Sequence, residues 1–135
     1  MEKETLKRIF NFLEEKGENR APFKWKILNN EPITKEDLNV KGDLDLRSFE
    51  INSLPEGLKV NGDLDLLFST ISSLPDGLEV NGDLFLDSCK SIKDLPKGLK
   101  VWGDIIINRT QLIHYSKDEI KEMIKPGFIK GKIFK

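Results

Sequence analysis

Four aspartates, each directly after a glycine, recur through the middle of the chain and are its most regular candidates for chemistry. They are Asp43, Asp63, Asp83 and Asp104. A column of evenly spaced carboxylates can bind calcium, as in some β-helix repeats. The glycine-rich nonapeptide that accompanies such sites is absent here, and an aspartate in a turn accepts hydrogen bonds from nearby backbone amides. We therefore predict that the column is structural and that it binds no metal.

Apart from these aspartates, the chain has few side chains of the types that usually catalyse reactions. The chain contains one histidine, His114, and one cysteine, Cys89. No partner that would make either one a catalyst is identifiable, and no phosphate-binding loop, zinc pattern or paired-carboxylate site is present. The sequence thus predicts a protein that is not an enzyme and that uses no cofactor. We interpret Cys89 as a repeat residue and His114 as part of the end of the last repeat.

These residues belong to four copies of one pattern. The copies begin at residues 38, 58, 78 and 99 and read LNVKGDLDL, LKVNGDLDL, LEVNGDLFL and LKVWGDIII. The first three continue into FEINSLPEG, STISSLPDG and KSIKDLPKG. A period of about twenty residues is typical of a solenoid, in which each coil buries its apolar side against its neighbours. Such a chain usually binds a partner along an extended face.

The L-x-L segment of each copy has the two-residue period of a β-strand. In the first copy Leu44 and Leu46 point to one side, while Asp45 and Arg47 point to the other. Stacked coils place equivalent strands about 4.8 Å apart, which predicts one short parallel sheet. The proline and glycine of L-P-x-G suit a bend rather than a strand. We expect an α/β fold of about four coils, each with one strand, one irregular return segment and two bends.

The repeats resemble those of the leucine-rich-repeat family. LDLRSFEINSLP and LDLLFSTISSLP are similar to the family pattern, and LPEGL, LPDGL and LPKGL are similar to the junction of its short bacterial repeats. The resemblance covers residues 38–112 and implies a short leucine-rich-repeat-like solenoid. The family's asparagine position holds other residues here, namely Phe49, Ser69, Cys89 and Thr110. We expect weaker hydrogen bonds from the last three and an irregular bend at Phe49.

Two further resemblances bear on function. Similar repeats occur in secreted bacterial ubiquitin ligases, but beside a large catalytic domain with its own cysteine, so we do not expect that activity from these 135 residues. The V-x-G-D-L-x-L repeats are also similar to those of phage and prophage accessory proteins. This second resemblance implies an inhibitor that occupies a host protein, for example a defence component blocked in an anti-CRISPR-like manner.

Both ends of the solenoid need covers, because an end coil would expose core leucines and open sheet edges. We predict one domain over residues 1–135 with an N-terminal cap over residues 1–37. Apolar spacing in the cap predicts a helix over residues 3–16. The alternating FKWKI segment predicts a short strand or extended cover, and the Thr34–Asp37 pair predicts a helical turn.

The solenoid is predicted over residues 38–115 and a C-terminal cap over residues 116–135. Ser116 and Glu119 form a capping box at the start of a short helix. An apolar, lysine-interleaved tail follows, and we expect it to bury the far end of the core. Its lysines leave open a second role, binding to nucleic acid or to an acidic surface. They are Lys125, Lys130, Lys132 and Lys135.

The formal net charge of −1 hides an uneven distribution. Residues 38–98 carry six basic and eleven acidic side chains, and residues 99–135 carry eight basic and four acidic ones. An acidic repeat face argues against nucleic acid as its partner, because phosphates would be repelled. One cysteine, a charged N-terminus and no long apolar run predict a cytoplasmic protein without membrane contact. For a phage-encoded chain that would be the host cytoplasm.

The candidate binding site is the set of side chains that point outward from the predicted sheet. Along the stack they change from acidic to apolar, and apolar anchors beside charges are typical of protein interfaces. The candidates are Asp45, Asp65, Leu67, Phe85, Asp87, Ile106 and Asn108. We predict a non-catalytic module that binds a protein with a basic surface. The oligomeric state stays open, as does the alternative that a terminal segment or a second copy covers this face.

Overall fold

The computed structural model describes residues 23–135. The chain divides into two compact units, residues 1–33 and residues 34–135. The helix predicted over residues 3–16 lies outside the described residues. No helix within residues 23–135 is long and apolar enough to cross a membrane.

In the first unit the described element is helix α1, Phe23–Leu28. The prediction of a strand or extended cover at this segment was wrong. The backbone amide of Asn29 donates to the carbonyl of Trp25 at 3.1 Å, and that of Glu31 donates to Lys26 at 2.9 Å. The Asn29 side-chain amide also donates to Trp25, at 2.9 Å. Alternation over so few residues does not separate a strand from a short helix, and these local hydrogen bonds favour the helix.

The second unit is a parallel β-solenoid with two five-stranded parallel sheets. Sheet A contains β1 Asn39–Val40, β3 Lys59–Val60, β5 Glu79–Val80, β7 Lys100–Val101 and β9 Phe128–Ile129. Sheet B contains β2 Leu44–Asp45, β4 Leu64–Asp65, β6 Leu84–Phe85, β8 Ile105–Ile106 and β10 Ile133–Phe134. Each coil thus contributes one strand to each sheet, and a Gly-Asp corner joins the two strands in the first four coils.

Sheet A was not predicted, because the sequence analysis assigned one strand to each coil. The L-x-V segment has the same alternation as L-x-L, with Val60, Val80 and Val101 fully buried. Its backbone bonds to the coil before it, for example from the Lys59 amide to the Leu38 carbonyl at 2.8 Å. Two alternating residues before a glycine are a weak strand signal, and only the neighbouring coils supply these hydrogen bonds.

The faces predicted for the L-x-L strands are confirmed. Leu44 and Leu46 are buried, whereas Asp45 and Arg47 are exposed. The return segments bury further apolar side chains, namely Ile51, Leu54, Ile71, Leu74, Ile92, Leu95 and Leu112. The glycine of each L-P-x-G has a positive φ, between +74° and +83°, which side chains other than glycine rarely adopt.

Two predicted local motifs are confirmed within the second unit. The Thr34 amide donates to the Asp37 carboxylate at 2.9 Å, and the Asp37 amide donates to the Thr34 hydroxyl at 3.2 Å. Helix α2, Lys117–Met123, begins with the capping box of Ser116 and Glu119. Hydrogen bonds with the backbone and then the side chain of Ser116 lower the pKa of Glu119. A 3₁₀ helix over Gln111–His114 precedes α2.

The C-terminal tail continues the solenoid, which the sequence analysis did not anticipate. Strand β9 pairs with β7, and β10 pairs with β8, both in parallel. The segment FIKGKIF is therefore a degenerate fifth copy of x-V-x-G-D-L-x, with Gly131 in the glycine position and Lys132 in the aspartate position. The copy is hard to recognise because the aspartate is replaced and helix α2 interrupts the period.

Candidate functional site

The Gly-Asp corners form a hydrogen-bond ladder along the stack. In each step the Oδ1 atom of one corner aspartate accepts the backbone amide of the equivalent residue in the next coil, at 2.7 Å. The ladder runs through Asp43, Asp63, Asp83, Asp104 and Lys132. The carboxylates therefore join coils, whereas the sequence analysis expected them to accept nearby amides.

Glycine is required beside this ladder for space. A Cβ atom on Gly82 would contact the Asp63 carboxylate and the Gly62 backbone at less than the distance real side chains allow. Gly103 and Gly131 meet the corresponding atoms of their own preceding coils. At the last corner Lys132 donates its amide but has no carboxylate to offer, so the ladder ends there.

The candidates for catalysis have structural surroundings. Cys89 is fully buried, and its thiol donates to the Leu66 carbonyl at 2.8 Å. Burial raises the pKa of the Cys89 thiol, which disfavours the reactive thiolate. His114 is exposed at the end of the 3₁₀ helix. Among residues 23–135, no group of three or more histidine, cysteine, aspartate or glutamate side chains could hold a metal ion.

The position that holds asparagine in the leucine-rich-repeat pattern is occupied here by side chains that hydrogen-bond to the backbone. The Thr110 hydroxyl donates to Ile107 at 2.7 Å and accepts the Leu112 amide at 3.1 Å. The Ser69 hydroxyl accepts the Ile71 amide at 3.3 Å. Phe49, in the first coil, is half-buried.

We define face B as the outward side chains of sheet B and of the residue two positions later. One column consists of Asp45, Asp65, Phe85, Ile106 and Phe134, which occupy equivalent positions in the pairing of the strands. The second column consists of Arg47, Leu67, Asp87 and Asn108. The predicted candidates therefore lie on one face. Phe134, with 45% of its surface exposed, extends the apolar end and was missed because the fifth copy was not recognised.

The acidic end of face B contains a depression of about 250 Å³. Its lining residues include four aspartates, one arginine and Phe85. The Arg47 guanidinium contacts Asp45 at 2.9 Å and lies 3.7 Å from Asp65. The single positive charge of Arg47 thus offsets only part of the charge of the four aspartates. The acidic end therefore keeps a net negative charge.

Asp87 is less available to a partner than the sequence analysis expected. One of its carboxylate oxygens is buried without a hydrogen-bond partner, and the other lies 3.5 Å from the Asn108 side-chain amide. Asp87 and Asn108 therefore lie beside the apolar column of face B and contact each other across neighbouring coils.

We define face A as the outward side chains of sheet A and of the residue two positions later. Its first column consists of Asn39, Lys59, Glu79, Lys100 and Phe128, and its second of Lys41, Asn61, Asn81, Trp102 and Lys130. Glu79 lies 3.9 Å from the Lys59 ammonium and 3.6 Å from that of Lys100. The Asn81 amide donates to Asn61 at 3.0 Å.

The last two coils of face A form a partly exposed aromatic cluster. Trp102 is 41% exposed, and its ring meets that of Phe128 edge to face with centroids 5.0 Å apart. The Lys130 ammonium lies over Phe128, 5.4 Å from the ring centroid. Trp102 was not among the predicted candidates, because no strand was predicted at this position.

The four lysines proposed as an alternative site make separate contacts. Lys125 pairs with Glu122 at 2.7 Å, and the Lys135 ammonium donates to the Tyr115 carbonyl at 2.9 Å. Lys130 belongs to face A, and Lys132 is a corner residue. They share no common contact partner among these bonds.

Comparison with protein families, with curated proteins and with solved structures finds no match to this chain.

Proposed function

We propose that the protein is a non-catalytic module that binds another protein through face B and acts by occupying that protein's surface. The observation that carries the proposal is the apolar column of Phe85, Ile106 and Phe134 beside the acidic pair Asp45 and Asp65. An outward column in water has no need of three large apolar side chains, whereas protein interfaces use such anchors with charges at their rim.

The chemistry of face B describes the partner. Its acidic end favours a basic surface, and its apolar end favours an aliphatic or aromatic side chain. The C-terminal segment adds Phe134 to the column, which argues against the alternative that this segment covers it. The buried, neutral thiol of Cys89 supports the absence of catalysis.

The repeat pattern also supports a proposal about the protein's family and its cellular setting. L-x-L and L-P-x-G-L support a relationship to the leucine-rich repeats, and residues 1–37 and helix α2 would then be parts of the caps. The likeness to phage accessory proteins supports an inhibitor encoded by a phage or bacterium that blocks a host protein, such as a defence component, in the cytoplasm.

The test is capture from host-cell lysate by the immobilised full-length chain, compared with the variant Phe85→Glu. We expect Phe85→Glu to lose the captured protein, because an anchor of this kind contributes about 2 kcal/mol or more, roughly thirtyfold in affinity. Ile113→Glu is the matched control, since Ile113 is 40% exposed and lies in the 3₁₀ helix, outside both faces. Both variants must melt as the wild type does.

Reversing the charges of Asp45 and Asp65 should weaken capture less and mainly slow association, with an effect that fades as salt rises. Capture that survives Phe85→Glu but is lost after substitution of Lys130 and Lys132 contradicts the proposal. That result would assign binding to the basic tail, with nucleic acid or an acidic surface as its partner.

A further inference from the structure

Faces A and B carry opposite charge on one molecule. Face A has four lysines and one glutamate at its outward positions: Lys41, Lys59, Lys100, Lys130 and Glu79. Face B has three aspartates and one arginine: Asp45, Asp65, Asp87 and Arg47. The chain itself therefore presents a basic surface of the kind that face B is proposed to bind.

The order of side chains along the stack also matches. On face A the first two coils carry Lys41 and Lys59. The last two carry Lys100 and Lys130 together with the exposed ring of Trp102 and the half-buried ring of Phe128. On face B the first two coils carry the acidic pair, and the last three carry the apolar column. The apolar side chains of both faces thus lie at the same end of the stack, whereas lysines occur at both ends of face A.

The shared apolar end selects one relative orientation. With the coils of two copies running the same way, Lys59 of one copy meets Asp65 of the other, and Trp102 meets Ile106. With the coils running in opposite ways, Lys100 and Lys130 would meet the carboxylates, but the apolar column of face B would lie against Lys41 and Lys59 instead of the aromatic cluster. Only the first arrangement satisfies charge and apolar area together.

The ion pairs described on both faces are exposed to solvent. The bonds from Glu79 to its two lysines are long, at 3.6 and 3.9 Å, and the lysine side chains are 42–46% exposed. The Arg47–Asp45 pair is also exposed. Exposed ion pairs contribute little to stability, so exchanging them for pairs between molecules costs little.

We propose that face B binds face A of a second copy of this chain, with the coils of both copies running in the same direction, when no other partner occupies face B. The inference uses the same face B as the proposed function and names one partner for it. In such a pair one copy keeps a free face A and the other a free face B, so the contact is head-to-tail and can add further copies.

The size of the faces sets the expected strength. Five strands span about 20 Å along the stack, which is small for a stable complex. We expect weak association, with a Kd of roughly 10 µM or higher. Association should weaken as salt is raised from about 0.05 M to about 0.5 M, because screening reduces attraction between exposed charges.

The experiment is sedimentation velocity of the full-length chain over rising concentration. Phe85→Glu damages face B alone, and Trp102→Glu damages face A alone. Each variant by itself should associate at least about tenfold more weakly than the wild type. A mixture of the two should form a complex limited to one copy of each, because one keeps an intact face A and the other an intact face B. Ile113→Glu should associate like the wild type.

A second pair of variants is needed in case Phe85→Glu or Trp102→Glu disturbs folding. Asp65→Lys and Lys59→Glu exchange charges at exposed or half-exposed positions, and they should show the same loss alone and recovery on mixing. A wild type that stays monomeric to about 1 mM, or variant mixtures that stay monomeric while the wild type associates, overturns the inference. A monomeric wild type whose Trp102 is needed for heparin retention would assign face A to a polyanion. Partner capture that depends on Phe85 in a monomeric protein overturns this inference and leaves the proposed function in place.

Discussion

The two outward faces of the solenoid differ strongly although the same coils build both. Inward positions of sheet A hold valine or isoleucine in every coil, from Val40 to Ile129, while its outward positions change from asparagine to lysine, glutamate and phenylalanine. Sheet B shows the same contrast between its inward leucines and isoleucines and its outward column. A shared core constrains volume and polarity at the inward positions. The outward positions lack that constraint. Their side chains can therefore differ from coil to coil and serve binding.

The contrast between inward and outward positions requires that the two sheets share a core. Leu64→Ala in sheet B should cost roughly 2–5 kcal/mol of unfolding free energy, and Val60→Ala in sheet A roughly 1–3 kcal/mol, because both side chains are fully buried. Denaturant titration of the full chain measures both. A Leu64→Ala variant no less stable than Asp65→Ala would show that the faces of β4 are assigned wrongly, and a neutral Val60→Ala would separate sheet A from the core.

The corner between the faces should matter more for stability than either face. Asp63→Ala removes the acceptor of the Asp83 amide and should cost roughly 1–3 kcal/mol. Asp63→Asn keeps a carbonyl oxygen and should recover most of that loss. Asp65→Ala, two residues away on face B, is the control and should change stability by less than about 0.5 kcal/mol. Equal effects of Asp63→Ala and Asp65→Ala would contradict the ladder.

The charges on both faces should contribute little to folding. Glu79→Gln on face A and Arg47→Gln on face B should each change the unfolding free energy by no more than about 0.5 kcal/mol, because the ion pairs are exposed. Thermal melts at low and high salt measure this. A cost of several kcal/mol at either position would mean that the charges serve stability, and it would weaken the case for recognition.

The smallest expected effect is that of calcium on the corner aspartates. Neither calcium nor a chelator should change the melting temperature, because one oxygen of each carboxylate already accepts a backbone amide. A ligand that binds the folded state must stabilise it. A melting temperature that rises with calcium would therefore show that the column binds metal.

The alternation, the repeats and the capping box were readable in the sequence because each depends on residues a few positions apart. The burial of Leu44 and Leu46, the outward position of Asp45 and the Ser116–Glu119 box follow from such short-range patterns. The candidate residues of face B were predicted for the same reason, except for Phe134. Helix α1 shows the limit, since its short alternating pattern pointed to a strand.

The sequence alone determined that this chain stacks similar coils and which L-x-L side chains face inward, because a periodic pattern repeats its own local geometry. Only the tertiary structure decided that L-x-V forms a second sheet, that FIKGKIF completes both sheets, and that the corner carboxylates bond to the next coil. It also separated the lysines and aspartates onto different faces, which a net charge summed along the chain conceals. Each of these features depends on which coil lies beside which, and that contact forms only when the coils pack together.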